Sequence, residues 1–171
     1  MSRISHISIV AASATFLLAL APEANAQGTR LTAEQAMAAL KAVQAYAKND
    51  GSDPSTAVLD SEGNIVLLLK GNNAAPHNIG LAERKAFTAN MFKMKSIEWR
   101  DATKPGQARA SERQTPKAIP LGGGVPIMVG NEVIGAVGVS GTRGGQEGDT
   151  AGAQAGADAA AALATRPVAQ N

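Results

Sequence analysis

The sequence predicts an α+β fold, an antiparallel β-sheet with helices packed on it. Three observations carry that expectation. Apolar residues recur at helical spacing in three separate segments. Between them, β-rich runs come in pairs joined by short turns, which makes hairpins and therefore antiparallel pairing. The run "LGGGVPIMVGNEVIGAVGVSG", residues 121–141, reads as one such hairpin whose glycines let another element come close.

The elements follow in order. Thr32-Ala33-Glu34-Gln35 matches a capping box, and Ala36, Leu40, Val43 and Ala47 continue at helical spacing to Gly51, so a helix is expected over about 32–49. Ser55 to Asp60 and Ile65 to Lys70 form a hairpin around Ser61-Glu62-Gly63-Asn64. Asn78 is a candidate cap for a second helix reaching about Ser96. Ile79, Ala82, Ala86 and Ala89 make one apolar stripe of that helix and Phe87, Met91 and Met94 another, so it is expected to be largely buried, with the Met and Phe stripe in the core. Residues 97–120 are polar, charged and proline-containing, and read as a long lid or binding loop.

The glycine-rich run fails both nucleotide motifs. A dinucleotide fingerprint needs its glycines between a strand and a helix, whereas a strand, Val125 to Val129, follows Gly122-Gly123-Gly124; a P-loop needs Gly-Lys-Ser or Gly-Lys-Thr. Gly130-Asn131-Glu132 is a turn into a second strand, Val133 to Ser140. Strict alternation puts Val133, Gly135, Val137 and Val139 on one face and Ile134, Ala136, Gly138 and Ser140 on the other. The expected partner for its glycines is a small-residue helix over about 149–164, with Ala153, Ala157 and Ala160 beside Gly152 and Gly156. Gly122, Gly123 and Gly124 stay candidates for backbone contact with a ligand.

The first 26 residues stand apart. Arg3 precedes an apolar run, Ile7 to Leu20, then Pro22 and the small-x-small site Ala24-Asn25-Ala26. That is the layout of a secretory signal peptide cut after Ala26, and the run is shorter than the ~20 apolar residues a membrane span needs. The expected mature chain is one domain over 27–164 with a flexible tail, 165–171, located in the periplasm or secreted and free of the membrane after cleavage. With no cysteine, disulfides and thiolate metal sites are excluded, and His77 alone remains after cleavage, which excludes multi-histidine sites.

Charge is uneven. Arg84 to Lys117 holds nine Lys or Arg against Glu98, Asp101 and Glu112, either a wet surface or an anion-attracting face. Tyr46, Phe87, Phe92 and Trp99 are too few aromatics for a nucleic-acid stacking platform, so no nucleic-acid partner is expected. No catalytic residue is assigned, because no carboxylate pair stands at a spacing suited to acid and base, and His77 with Glu83 is generic.

The stretches "LTAEQAMAAL", "AVLDSEGNIV", "PHNIGLAERKAFTANMF" and the run 121–141 followed by "AQAGADA" closely resemble, in order, the GlcG/HbpS-type haem-binding family, whose domain also forms the C-terminal part of some PduO proteins. The likeness covers about 31–163. It implies a profilin-like antiparallel sheet flanked by helices, homo-oligomers and, in several members, haem. The family's acidic pair at the start of the last helix reads Asp149-Thr150 here, and no axial ligand carries over.

Haem takes an apolar slot, cations for its propionates and often an axial ligand. The expected site is His77 as the iron ligand, Arg84, Lys85 or the following basic loop for the propionates, and Gly122, Gly123 and Gly124 for backbone contact. His77 reads equally as a loop residue that caps the second helix. The expected function is an exported haem (tetrapyrrole)-binding protein with a storage, sensing or accessory role. The alternatives are a small-organic-acid or cofactor-binding accessory subunit of an oxidoreductase, and a protein-docking module.

Overall fold

The computed structural model describes residues 30–164; the signal-like segment and the C-terminal tail lie outside the described residues. The element order is α1 (Ala33–Asp50), β1 (Ser55–Asp60), β2 (Ile65–Leu69), α2 (Asn78–Phe92), α3 (Ser96–Ala102), a 3₁₀ turn (Ala110–Gln114), β3 (Gly124–Val129), β4 (Glu132–Ser140) and α4 (Gly145–Ala164). The four strands form one antiparallel sheet in the order β2-β1-β4-β3, so the α+β expectation holds. No helix of the described residues is long and apolar enough to cross a membrane.

The capping box starts α1 as its sequence requires. The Thr32 hydroxyl accepts from the Gln35 amide at 3.2 Å, and the Gln35 side chain accepts from the Thr32 amide at 2.8 Å. Gly51, at φ 68°, ends the helix in the left-handed conformation that glycine adopts without steric cost. Ala36, Ala39, Val43, Ala153, Ala157 and Ala160 of α1 and α4 then pack with Val58, Val125, Ile127, Val137 and Val139 on one sheet face. Ala82, Ala86 and Ala89 of α2 pack on Ala57, Leu59 and Ala136 on the other.

The strict alternation expected for β4 does not hold. Gly135 pairs with Ile127 and Val133 with Met128, so a bulge leaves Ile134 between them, and Ile134 joins Val137 and Val139 in the α1–α4 core. Gly138 faces α2, not the last helix. A Cβ there would run into the Ala82 carbonyl oxygen and stand 2.7 Å from the Ala86 nitrogen. The small face of α4 meets α1 as well as β4: a Cβ at Gly156 would lie 2.9 Å from Val43 Cγ2 and 3.2 Å from Val137 Cγ1.

Three further expectations need correction. The N-cap of α2 is His77, whose side chain makes no capping bond, and Asn78 is already helical. The second helix ends at Phe92 rather than Ser96 because Lys93 turns left-handed, at φ 52°. Third, Met91 is 52% exposed and Met94 lies beyond the helix end, so of the expected Met and Phe stripe only Phe87 packs, half-buried, against the Ala82–Ala89 cluster. The expected long loop also contains α3, anchored by fully buried Trp99 stacked on Phe92 at 4.7 Å between centroids.

Candidate functional site

The sequence-nominated residues separate into a buried cluster and an exposed face, both on α2. The buried cluster centres on Lys85. Its ammonium stands 2.7 Å from Asp149 Oδ2 and also donates to the Val139 carbonyl at 3.1 Å and the Ser140 hydroxyl at 3.4 Å. Asp149 Oδ1 accepts from the Gly141 and Thr142 amides and from the Thr142 hydroxyl, at 2.9–3.0 Å. One carboxylate thus ties α2, the end of β4 and α4 together. Lys85 is therefore a core ion-pair member, not a surface cation open to a propionate.

The glycine triplet surrounds this pair. Gly123 sits at φ 120°, and a Cβ there would come within 2.8 Å of Asp149 Cβ and 3.0 Å of Lys85 Cδ. A Cβ at Gly124 would run into the Lys85 carbonyl oxygen. Their polar backbone groups are occupied by protein: the Gly122 amide donates to Gln146 Oε1 at 2.7 Å, the Gly124 amide to Ser96 Oγ at 2.8 Å, and the Gly123 carbonyl accepts from the Val139 amide at 2.8 Å. The triplet makes room for the ion pair, and the amides of Gly122 and Gly124 are taken up by Gln146 and Ser96 rather than by a ligand.

The exposed face holds His77 and Arg84. His77 is exposed and has helical dihedrals, φ −75° and ψ −19°, so it continues the phase of α2. Seven residues are close to two turns, which places His77 and Arg84 on one side of the helix, about 10 Å apart along its axis. Gly80 lies between them, and a Cβ there would have no heavy atom within 4 Å, which leaves helix backbone bare. Arg84 is exposed but fixed, donating through Nε and Nη2 to the Lys117 and Ala118 carbonyls at 3.1 and 3.0 Å.

The basic segment is more internally engaged than its composition suggests. Arg109 clamps Glu112 through two bonds of 2.8 Å, and its hydrogen bonds chiefly hold the Glu112 carboxyl below the ordinary range against the opposing effect of desolvation. Glu112 in turn accepts from the indole of Trp99. Arg113 donates to the Thr103 and Arg100 carbonyls. Arg100 and Lys104 share Asp101, and the hydrogen bond from Arg100, helped by that from Lys104, holds the carboxyl at about 2. Lys93, Lys95 and Lys117 form no salt bridge among the described residues.

Sequence reasoning missed Asp149 as a partner of Lys85. The signal was present, since Lys85 falls within the apolar stripe of Ala82, Ala86 and Ala89, and a lysine in a buried stripe requires an anion.

Known proteins of similar sequence and fold place the chain. Residues 31–158 match the family described as "Haem degrading protein HbpS-like". Protein GlcG of Escherichia coli strain K12 is 33% identical over 110 residues, covering 64% of this chain and 81% of its own. The crystal structure of a double mutant of Streptomyces reticuli HbpS superposes with a TM-score of 0.71 at 29% identity, over 90% of this chain and 97% of that one. The crystal structure of a PduOC:heme complex superposes with a TM-score of 0.69 at 25% identity, over 76% and 94%. The family match over residues 31–158, with which the superposition on HbpS agrees, shows that this chain belongs to the HbpS-like family.

Proposed function

We propose that this protein binds haem, or a closely similar anionic tetrapyrrole, on the outer face of α2, in an exported storage, sensing or accessory role. The observation that carries the reading is the single exposed face that holds His77, the bare backbone at Gly80, and Arg84. Membership of the HbpS-like family and the likeness to a protein crystallised with haem support it.

The donor set fits such a group. His77 would hold the iron, because its imidazole is exposed and is not used as a helix cap. Gly80 leaves space for a flat ring system against the helix. Arg84 would pair with a carboxylate, since the two carbonyls that hold its guanidinium fix the direction of its remaining N–H groups. Lys85 has no part in this reading, because removing it from Asp149 would leave a buried carboxylate unpaired.

Export rests on the segment Met1 to Ala26, and homo-oligomers on the family resemblance. The apolar residues exposed on β2, Ile65, Leu68 and Leu69, are consistent with self-association. Titration of haemin into the purified protein, with His77→Ala and Arg84→Ala in parallel, tests the reading.

A further inference from the structure

A second concavity lies at the other end of α2. Its volume is about 240 Å³, with the β1–β2 turn on one side and Phe87, Asn90, Met91 and Lys93 on the other. Three independent features mark it as a built site.

The first is an acceptor without a partner. Asn90 is only 9% exposed, and its Nδ2 donates to the Asp60 and Ser61 carbonyls at 3.1 and 3.2 Å. Both amide protons are therefore used, and a flipped amide would set its oxygen against two carbonyl oxygens. This fixes Oδ1 as an acceptor, and Oδ1 is buried with no hydrogen-bond partner. Being closed to bulk solvent, it requires a specific donor.

The second is charge held at a conformational cost. Lys93 at φ 52° and Lys117 at φ 66° are the only non-glycine residues with positive φ among the described residues. Both flank Phe87: Lys93 lines the concavity, and Lys117 Nζ is 5.9 Å from the Phe87 ring centroid. Neither forms a salt bridge among the described residues. The Glu62 carboxylate, which also lines the concavity, is met by Arg30 and Asn64. Glycine or asparagine suits such a backbone better than lysine, so the side chains are the reason to look for a function.

The third is an apolar surface. The half-buried Phe87 ring and the exposed Met91 line the concavity together with Asn90 and Lys93.

We propose that this concavity binds a small amphipathic carboxylate that also carries a hydrogen-bond donor. The carboxylate meets Lys93 and Lys117, the apolar body lies on Phe87 and Met91, and the donor satisfies Asn90 Oδ1. The site is separate from the His77–Arg84 face and does not depend on haem binding there.

The test uses three probes on isotopically labelled protein, read by NMR at the Asn90 side-chain amide and the Phe87 ring. 3-(4-Hydroxyphenyl)propionate should give saturable shifts at both. 3-Phenylpropionate, lacking the donor, should bind about 5-fold more weakly, as expected for one lost hydrogen bond. Tyramine, an ammonium in place of the carboxylate, should not saturate. Lys93→Gly with Lys117→Gly should weaken the first probe about 10-fold, roughly the sum of two exposed ion pairs. The same double variant should melt no lower than wild type, because glycine accepts both backbone conformations. Haemin should not displace the probe. Absence of saturable shifts up to roughly 10 mM probe, equal affinity with and without the hydroxyl, or displacement by haemin would overturn the proposal. So would a double-glycine variant that melts lower with unchanged affinity, which would make the lysines structural.

Discussion

Lys85 Nζ and Asp149 Oδ2 lie 2.7 Å apart, with the two side chains 3% and 7% exposed. The pair joins the helix on one sheet face to the helix on the other, past the end of β4. Taking both charges out of water is costly, and the geometry offsets that only because the Val139 carbonyl, the Ser140 hydroxyl and the 141–142 amides supply further hydrogen bonds.

Removing one member alone leaves a buried charge. Lys85→Met is expected to destabilise by about 3–5 kcal/mol. Lys85→Met with Asp149→Asn should be the milder change, because the introduced amide keeps an acceptor for Gly141 and Thr142 without the charge. Urea unfolding of both variants measures this. A double variant no better than the single one would show that the carboxylate's charge is not what the lysine balances.

Gly138 makes the packing of α2 on the sheet testable. Gly138→Val is expected to cost ~1–3 kcal/mol through overpacking against the Ala82–Ala86 backbone. Gly80→Ala, in open space on the outer side of the same helix, should instead raise stability by about 1 kcal/mol. Thermal melts of the two variants should move in opposite directions; a shared direction would contradict the placement of α2.

Acid should weaken the α3 surface in a defined window. The folded-state value of Asp101, about 2, lies below its ordinary 3.8, principally because Arg100 hydrogen-bonds the carboxylate and secondarily because Lys104 does. A depressed carboxyl stabilises above its unfolded value and loses that contribution as pH falls through its folded value. The melting-temperature gap between wild type and Asp101→Asn should therefore be constant above about pH 4 and close as the pH approaches about 2. The gap will be small because the pair is exposed. A gap that widens on acidification would reverse the assigned sign.

Much of the fold was legible because local and tertiary signals agreed. The Thr32–Gln35 capping box, Gly51, the Ser61–Asn64 turn and the alanine stripes of α2 and α4 each specify an element whatever packs around it. What was not legible depends on partners distant in sequence. The Ile134 bulge arises from the register of β3 against β4, which alternation alone does not encode. Helix α3 is short and charged, and forms around Trp99, which is closed over by Phe92 and Glu112. Lys85 lies inside a basic run, which suggests a cation open to a propionate, although its phase with Ala82 and Ala89 marks it as buried. The sequence makes His77 and Arg84 candidates for one pocket, and their common helix face is the part of that grouping visible in the structure.

Export and assembly are tested on protein secreted from a host cell. The expected mature N-terminus is Gln27, and mass spectrometry that finds Met1 to Ala26 retained would contradict cleavage. Sedimentation of the same material should show a species larger than the monomer; a monomer alone at tens of micromolar, a range where interfaces of ordinary strength are occupied, would contradict self-association.

Haemin titration followed at the Soret band measures whether α2 presents a haem site through His77 and Arg84. The wild type should give a saturable, shifted Soret band. His77→Ala should change the band's position, because it removes the iron ligand. Arg84→Ala should leave the position in place and weaken binding about 10-fold, the effect of one charge-assisted hydrogen-bonded pair. A wild-type protein that gives no saturable shift would rule out haem at this face, and a His77→Ala spectrum identical to wild type would rule out His77 as the iron ligand.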